Sequence, residues 1–195
     1  MMRYPAEHKE KTRERIIHAA SRRFRRGGAD VGIAELMKAL KLTHGGFYRH
    51  FKNKDALFIA ALEDAFAERR ARLRTTLQQA PPGREFQTII ETYLSEEHCA
   101  DPAGGCPMAA LSQEVARQSP AVRKAFDRAI QGNAAAIGQF MSGQTEEERR
   151  RKAGVFLSGM AGTLALARAV SDDQLRRDIL ATARRLYTEA FVHDR

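Results

Sequence analysis

Apolar residues recur along this chain at steps of three and four, the spacing that places side chains on one face of an α-helix. Ile16, Ile17, Ala20 and Phe24 make the first such face, in a helix that begins near His8 and that Gly27-Gly28 closes as a left-handed cap would. A short second helix is expected from about Ile33 to Leu40. Thr43 caps a third of about two turns, over 44 to 51, and Asn53 caps a long fourth that reaches about Gln79, where Pro81-Pro82-Gly83 stops it. Beyond this double proline, the best candidate for a domain boundary, the stepping continues. It runs through Phe86, Ile90, Tyr93 and Leu94, then Met108, Leu111 and Val115, then Val122, Phe126, Ile130, Ile137 and Met141. Thr145 with Glu148 reads as a capping box, followed by the pairs Glu146/Arg150, Glu147/Arg151 and Glu148/Lys152, and Ser171-Asp172-Asp173-Gln174 opens the last helix in the same manner. No strand-like alternation of useful length and no internal repeat interrupts the pattern. The expectation is an all-α protein of about nine helices.

Charge divides the chain more sharply than hydropathy does. With 195 residues, 43% of them hydrophobic, it has material for one good core or two small ones. Its net charge of +9 lies in the first quarter: residues 1 to 54 hold 14 Lys and Arg against 5 Asp and Glu, and the remainder balances at 19 each. A basic module carried by a neutral body points to a polyanion, with a solvated basic tail as the plainer alternative. The N-terminus lacks the apolar run of a signal peptide, and the longest uncharged apolar stretch, Ala153 to Ala167, is shorter than the ~20 residues a membrane span requires. A cytoplasmic protein without membrane contact is expected. Cys99 and Cys106 are too few for a disulfide framework.

Residues 42 to 57, LTHGGFYRHFKNKDAL, concentrate the candidate chemistry. A helix of two turns is well below the ~12 to 15 residues at which isolated helices become even marginal, so packing must hold it, and Phe47 and Phe51, four apart, supply that anchor. His44, Gly45, Tyr48, Arg49 and His50 are left on the other faces. Gly45 and Gly46 each weaken a helix by up to ~1 kcal/mol relative to alanine, less in the first turn, but a helix start without side chains can approach another surface closely. Against DNA, its amides and positive end would meet phosphate while neighbouring side chains reach base edges. Lys54, in the first turn after Asn53, opposes the helix dipole by ~0.3 to 1 kcal/mol, and a phosphate would reverse that sign.

A basic first helix followed by GIAELMKALKLTHGGFYRHFKNKDAL resembles the DNA-binding domain of the TetR family of transcriptional regulators. That family's motif runs roughly apolar-Ala-x-x-Ala-Gly-Val-Ser-x-Gly-x-x-Tyr-x-His-Phe-x-x-Lys-x-x-Leu. Thr43, Gly45, Tyr48, His50, Phe51, Lys54 and Leu57 fall on its positions without gaps. The resemblance covers about a quarter of the chain. It implies a three-helix DNA-binding domain over 1–53 with a helix-turn-helix at about 32–51, a long connecting helix over 54–80, and a helical ligand-binding and dimerisation domain over 81–195. It further implies that Thr43, Tyr48, His50 and Lys54 contact phosphates, and that His44, Gly45, Tyr48 and Arg49 lie nearest the bases of a palindromic double-stranded operator. Two positions depart from the motif: Met37 stands where alanine is usual, and Lys41 where the turn usually has glycine. Lys41 then carries an uncommon positive φ or the turn is built differently, and its ammonium offers a further phosphate contact.

The expected function is a sequence-specific regulator, a homodimeric repressor released by a small-molecule or reactive-species inducer; a helical binder of nucleic acid without sequence preference and a thiol-dependent enzyme using Cys106 are the alternatives. Pairing two small modules on a palindrome makes one energetically useful site. Leu157, Met160 and Leu164, among the small residues Gly159, Ala161, Gly162 and Ala165, are candidates for the interface together with Leu175, Ile179 and Leu186, burial inside one subunit being the alternative. Tyr93, Leu94, His98, Cys106, Met108, Leu111 and Phe126 are pocket candidates, although an apolar stripe is more often plain core. In HCADPAGGCPMAAL, Cys106 precedes Pro107 at a helix start, a position that promotes thiol reactivity toward oxidants and electrophiles. His98, Cys99 and Cys106 lack a fourth ligand and a standard metal spacing, and no cofactor or catalytic motif stands out.

Overall fold

The computed structural model describes residues 6–192; residues 1–5 and 193–195, which the expected end units include, lie outside the described residues. Among the described residues ten helices follow one another: α1 (Ala6–Gly27), α2 (Ile33–Ala39), α3 (His44–Phe47), α4 (Lys54–Gln79), α5 (Glu85–Tyr93), α6 (Glu96–Ala100), α7 (Pro107–Val115), α8 (Pro120–Gly138), α9 (Glu146–Ala169) and α10 (Asp173–Val192). Among the described residues there is no strand, and no helix is long and apolar enough to cross a membrane. The helix beyond the expected nine is α6, five residues whose first turn is closed by Ser95, its hydroxyl accepting the His98 N–H at 3.1 Å. It is too short to show a periodicity.

The helix ends follow the capping residues with small shifts. Asn53 accepts the Ala56 N–H at 2.9 Å and starts α4, and Ala80 leaves helical geometry just before Pro81. At α9, Thr145 accepts the Glu148 N–H at 3.1 Å, but the Glu148 carboxylate reaches the N–H of Gln144 at 2.9 Å, one residue before the position a capping box uses. The three Glu/Arg and Glu/Lys pairs form along the same turn. The last helix is capped by Asp172, which accepts the Leu175 N–H at 2.9 Å, and not by Ser171.

α4 is the axis of the molecule. Its first half buries Leu57, Phe58, Ala61, Leu62, Ala65 and Phe66, while beyond Phe66 its large apolar residues, Leu73 and Leu77, pack only in part. α1 lies along that half, with the Phe24 and Phe58 rings 4.7 Å apart, and each such fully buried side chain contributes roughly 1.5–3 kcal/mol of transfer free energy. Phe126 of α8 meets Phe66 at 5.8 Å. In the body, Phe156 of α9 sits among Phe86, Tyr187 and Phe191. The hydrophobic core is continuous from Ile16 to Leu180, so Pro81-Pro82-Gly83 breaks the chain direction and not the core.

Some of the interface and pocket candidates lie in the core instead. Leu157, Met160 and Leu164 are buried inside the subunit, on the side of α9 that packs against the other helices of the body. Of the other interface candidates, Leu175 and Leu186 are about half exposed and Ile179 is partly covered. Leu94 and Leu111 are plain core.

Candidate nucleic-acid interface

The turn before α3 is set by α2. The Lys41 N–H donates to Lys38 O at 3.0 Å and the Leu42 N–H to Met37 O at 2.9 Å, the paired bonds of a Schellman cap, with Lys41 at φ 58° where glycine is usual. Lys41 therefore does adopt the left-handed conformation, at a cost of roughly 1–2 kcal/mol for a residue with a Cβ. Its side chain is exposed.

Thr43 then caps α3, its hydroxyl accepting the Gly46 N–H at 3.2 Å. Only His44–Phe47 is α-helical. The expected continuation to residue 51 tightens into a turn, with Arg49 N–H on Gly46 O at 3.3 Å and His50 N–H on Phe47 O at 2.9 Å. Two adjacent glycines give the helix little to sustain it, and the end closes through shorter-range bonds. Phe47 and Phe51 hold the segment down: both are buried, with their rings stacked at 5.6 Å.

What remains on the surface is a compact polar face. Lys41, Thr43, His44, Gly45, Tyr48, Arg49, Lys52 and Asn53 are exposed, and His50 and Lys54 partly so. Tyr48 is 61% exposed, yet its ring is held edge-on against Phe47 at 5.2 Å and His44 at 6.0 Å. The two glycines differ. A Cβ on Gly46 would stand 3.3 Å from the Thr43 hydroxyl oxygen and 3.8 Å from Met37 Cε, whereas a Cβ on Gly45 would meet nothing within 4 Å. Among the described residues, Lys41, Arg49, Lys52 and Lys54 have no carboxylate within ion-pair distance.

α1 adds two cations that the sequence reading did not single out. Lys9 and Arg13, four apart, stand close enough to His50 to act on its charge, and the Arg13 guanidinium lies 5.3 Å from the Phe51 ring centre. Their signal in the sequence was one turn-length spacing within a basic helix. Burial lowers the His50 pKa, and Lys9, Arg13 and Arg49 lower it further against an opposing effect of Glu10. Among the described residues its Nδ1 is closed off without a hydrogen-bond partner.

The pocket candidates divide between two sites. Tyr93 and His98 line a cavity of about 320 Å³ between α4, α5 and the α6–α7 loop. Met108 and Phe126 line another of about 410 Å³ between α7, α8 and α9. Cys106 is fully buried, and Gly104-Gly105 before it are required by packing: a Cβ on Gly105 would lie 2.5 Å from Arg168 Nη2 and 2.6 Å from Asp101 O. A reagent reaches the Cys106 thiol only when this loop opens.

His98 is fixed as the neutral ring. Its Nδ1 donates to Tyr93 O at 2.6 Å and its Nε2 accepts the Cys106 N–H at 3.1 Å, so protonation would break the second bond. Burial, with Arg69, Arg168 and Arg72 nearby, brings the pKa down to about 4, the bond to Tyr93 O opposing it. A base whose pKa is lowered by folding stabilises the fold above its ordinary value and loses that contribution as pH falls. The window is therefore from about 6.5 down to about 4, with a slope of up to ~1.4 kcal/mol per pH unit from this group. Urea unfolding at intervals between pH 7 and 4 should show the slope in the native chain and its reduction in His98→Gln. Parallel curves for the two would refute the assignment. The same ring, with both nitrogens engaged, cannot join Cys99 and Cys106 around a metal, and among the described residues no group of three ligand side chains is placed to hold one.

Comparison with known proteins bears on the polar face directly. The family described as bacterial regulatory proteins, tetR family, matches residues 16–61. The HTH-type transcriptional repressor NemR of Escherichia coli (strain K12) is 30% identical over 139 residues, 69% of this chain and 69% of that protein. The HTH-type transcriptional regulator TtgR of Pseudomonas putida is 39% identical over 64 residues, 32% of this chain and 30% of that protein. Among solved structures, reduced Escherichia coli NemR superposes with a TM-score of 0.72 at 23% identity, covering 90% of this chain and 96% of that one. A TetR-family regulator from Cytophaga hutchinsonii gives 0.76 at 20% identity, covering 96% and 98%.

Proposed function

Because the chain belongs to the TetR family of bacterial regulatory proteins, we propose that it is a sequence-specific transcriptional repressor that lays α3 into the major groove of an operator. The observation that carries this reading is Gly45, a helical glycine that none of the described residues requires, at the centre of a face of cations that have no carboxylate partners among the described residues. On this reading Lys41, Thr43, Tyr48, His50 and Lys54 contact phosphate, with Lys9 and Arg13 beside them, and His44, Gly45 and Arg49 approach the bases. The units are 1–53 for DNA, 54–80 as connector and 81–195 for ligand and dimer.

Two copies would pair through the outward sides of α9 and α10. Val155, Ser158, Gly162 and Leu166 step by three and four on α9, as do Leu175, Ile179, Thr182 and Leu186 on α10. Val155 and Leu166 are 70% and 57% exposed, and a Cβ on Gly162 would meet nothing, so a second helix pair can approach closely. Two α3 segments would then read half-sites about one DNA turn, ~34 Å, apart.

The test is fluorescence anisotropy on fragments from the neighbourhood of the protein's own coding region, at increasing salt. One palindromic fragment should stay bound at salt that releases the others. Tyr48→Ala and Lys54→Ala should each weaken that complex about tenfold, roughly 1.4 kcal/mol, without changing helicity or the dimer mass by sedimentation. Equal release of every fragment would favour binding without sequence preference, and a single-subunit mass at micromolar concentration would sink the paired arrangement.

A further inference from the structure

We propose that the cavity between α4, α5 and the α6–α7 loop takes a small organic anion, a carboxylate on an apolar body, with Arg69 holding its charged end. The inference rests on the repressor reading above, and it names the class of effector that the ligand-binding unit accepts.

Among the described residues, Arg69 Nε and Arg168 Nη1 are buried beside this cavity without a hydrogen-bond partner, and the buried Tyr93 hydroxyl has only the Cys106 thiol near it. All three are donors. Arg69 lies over the Tyr93 ring at 4.6 Å, and both side chains line the cavity. Among the described residues neither Arg69 nor Arg168 has a carboxylate within ion-pair distance; Arg168 donates to the carbonyls of His98 and Cys99 behind the wall. A partly buried guanidinium with a shut-off, unpaired N–H and no counter-ion is unfavourable, and a bound anion relieves both deficits.

The other charged groups do not fill that role. Glu68 is held by Arg25 and Arg72. Asp101 accepts the Gly104 N–H at 2.9 Å, Glu97 stands exposed at the rim, and His98 is neutral with both ring nitrogens engaged. The hydroxyl of Tyr93 has the Cys106 thiol as its polar neighbour, a weak partner for a phenol. Leu73 and Ile89 supply apolar wall, and about 320 Å³ suits one or two fused rings or a short chain. A cationic effector would face Arg69 and Arg72 at close range, while a neutral amide would supply an acceptor without the charge.

The experiment is calorimetry on the full-length protein with benzoate, 4-phenylbutyrate, naphthalene-2-carboxylate and octanoate, each beside its primary amide. At least one carboxylate should bind with a Kd ten or more times below that of its amide. Arg69→Gln should raise that Kd at least tenfold and Tyr93→Phe several-fold, while Arg69→Lys retains part of the affinity, which separates a lost contact from a lost fold. No carboxylate binding at 1 mM, or amides binding as tightly as their acids, overturns the proposal. Operator release measured alongside distinguishes the two levels: a carboxylate that binds through Arg69 but leaves the DNA complex intact upholds the anion site and refutes its role as an effector site.

Discussion

Replacing Gly45 by leucine should leave a protein that melts at or above the temperature of the native chain and has lost most of its operator affinity. The two halves of this expectation have separate causes. Gly45 is helical, its φ is not positive, and a Cβ there meets nothing within 4 Å, so a helix-forming side chain removes a backbone-entropy penalty of up to ~1 kcal/mol, less in this first turn. On a duplex the same side chain stands between α3 and the groove. Displacing both recognition segments of a dimer, at about 2 kcal/mol per half-site, amounts to roughly a thousandfold in Kd. Gly45→Ala should show the same signs at smaller size. Melting curves and anisotropy on the same preparations check both halves, and a stabilised variant that binds DNA as well as the native chain would remove the main support for the interface.

The contrast between Gly45 and Gly46 marks what was legible in the sequence. The two letters are identical, and only the packing separates a glycine against Thr43 and Met37 from one facing open space. Capping residues and periodicity located α1, α2 and α4 to within a residue or two because those signals are local. At Lys41 the resemblance to the family motif left two alternatives, a positive φ or a differently built turn, and the structure has the first: the Schellman cap needs one left-handed residue at that place whatever its side chain. Periodicity states which residues share a face, not which way the face points, and so it cannot tell that Leu157, Met160 and Leu164 fill the subunit core and not an interface. The outward residues of the same helix, Val155 and Leu166, carried an equal signal. Pocket candidates chosen by apolar spacing were divided between two cavities and the core, since spacing along α5 and α7 fixes nothing about the distance between them.

Arg25 shows the remaining gap, and it carries the second large expectation. One of 14 basic residues in the first quarter, it reads as part of a solvated face, yet its side chain has no exposed surface. The guanidinium donates to Ser21 O at 3.2 Å, to Gly105 O at 3.0 Å and to Glu68 at 2.7 Å, so one group joins α1, α4 and the loop that walls the anion cavity. Burial alone would raise the Glu68 pKa; the hydrogen bond and charge of Arg25, with Arg72, outweigh it and hold the carboxylate below its ordinary range. Arg25→Ala leaves Gly105 O without its donor and Glu68 with Arg72 alone. Breaking a buried pair from one side destabilises by ~3–5 kcal/mol, and the surviving Arg72 contact should hold the loss near the lower figure. Arg25→Lys keeps the charge but not the fork that reaches three partners, and should recover less than half of it. The double variant Arg25→Met, Glu68→Met removes the charges together and should recover most of the stability. That variant separates holding the fold from transmitting a signal: if the Gly105 loop moves α1 through Arg25, it should bind operator normally and respond to a carboxylate effector at least tenfold more weakly. Undiminished release by the effector, in a double variant as stable as the native chain, would exclude Arg25 from the coupling.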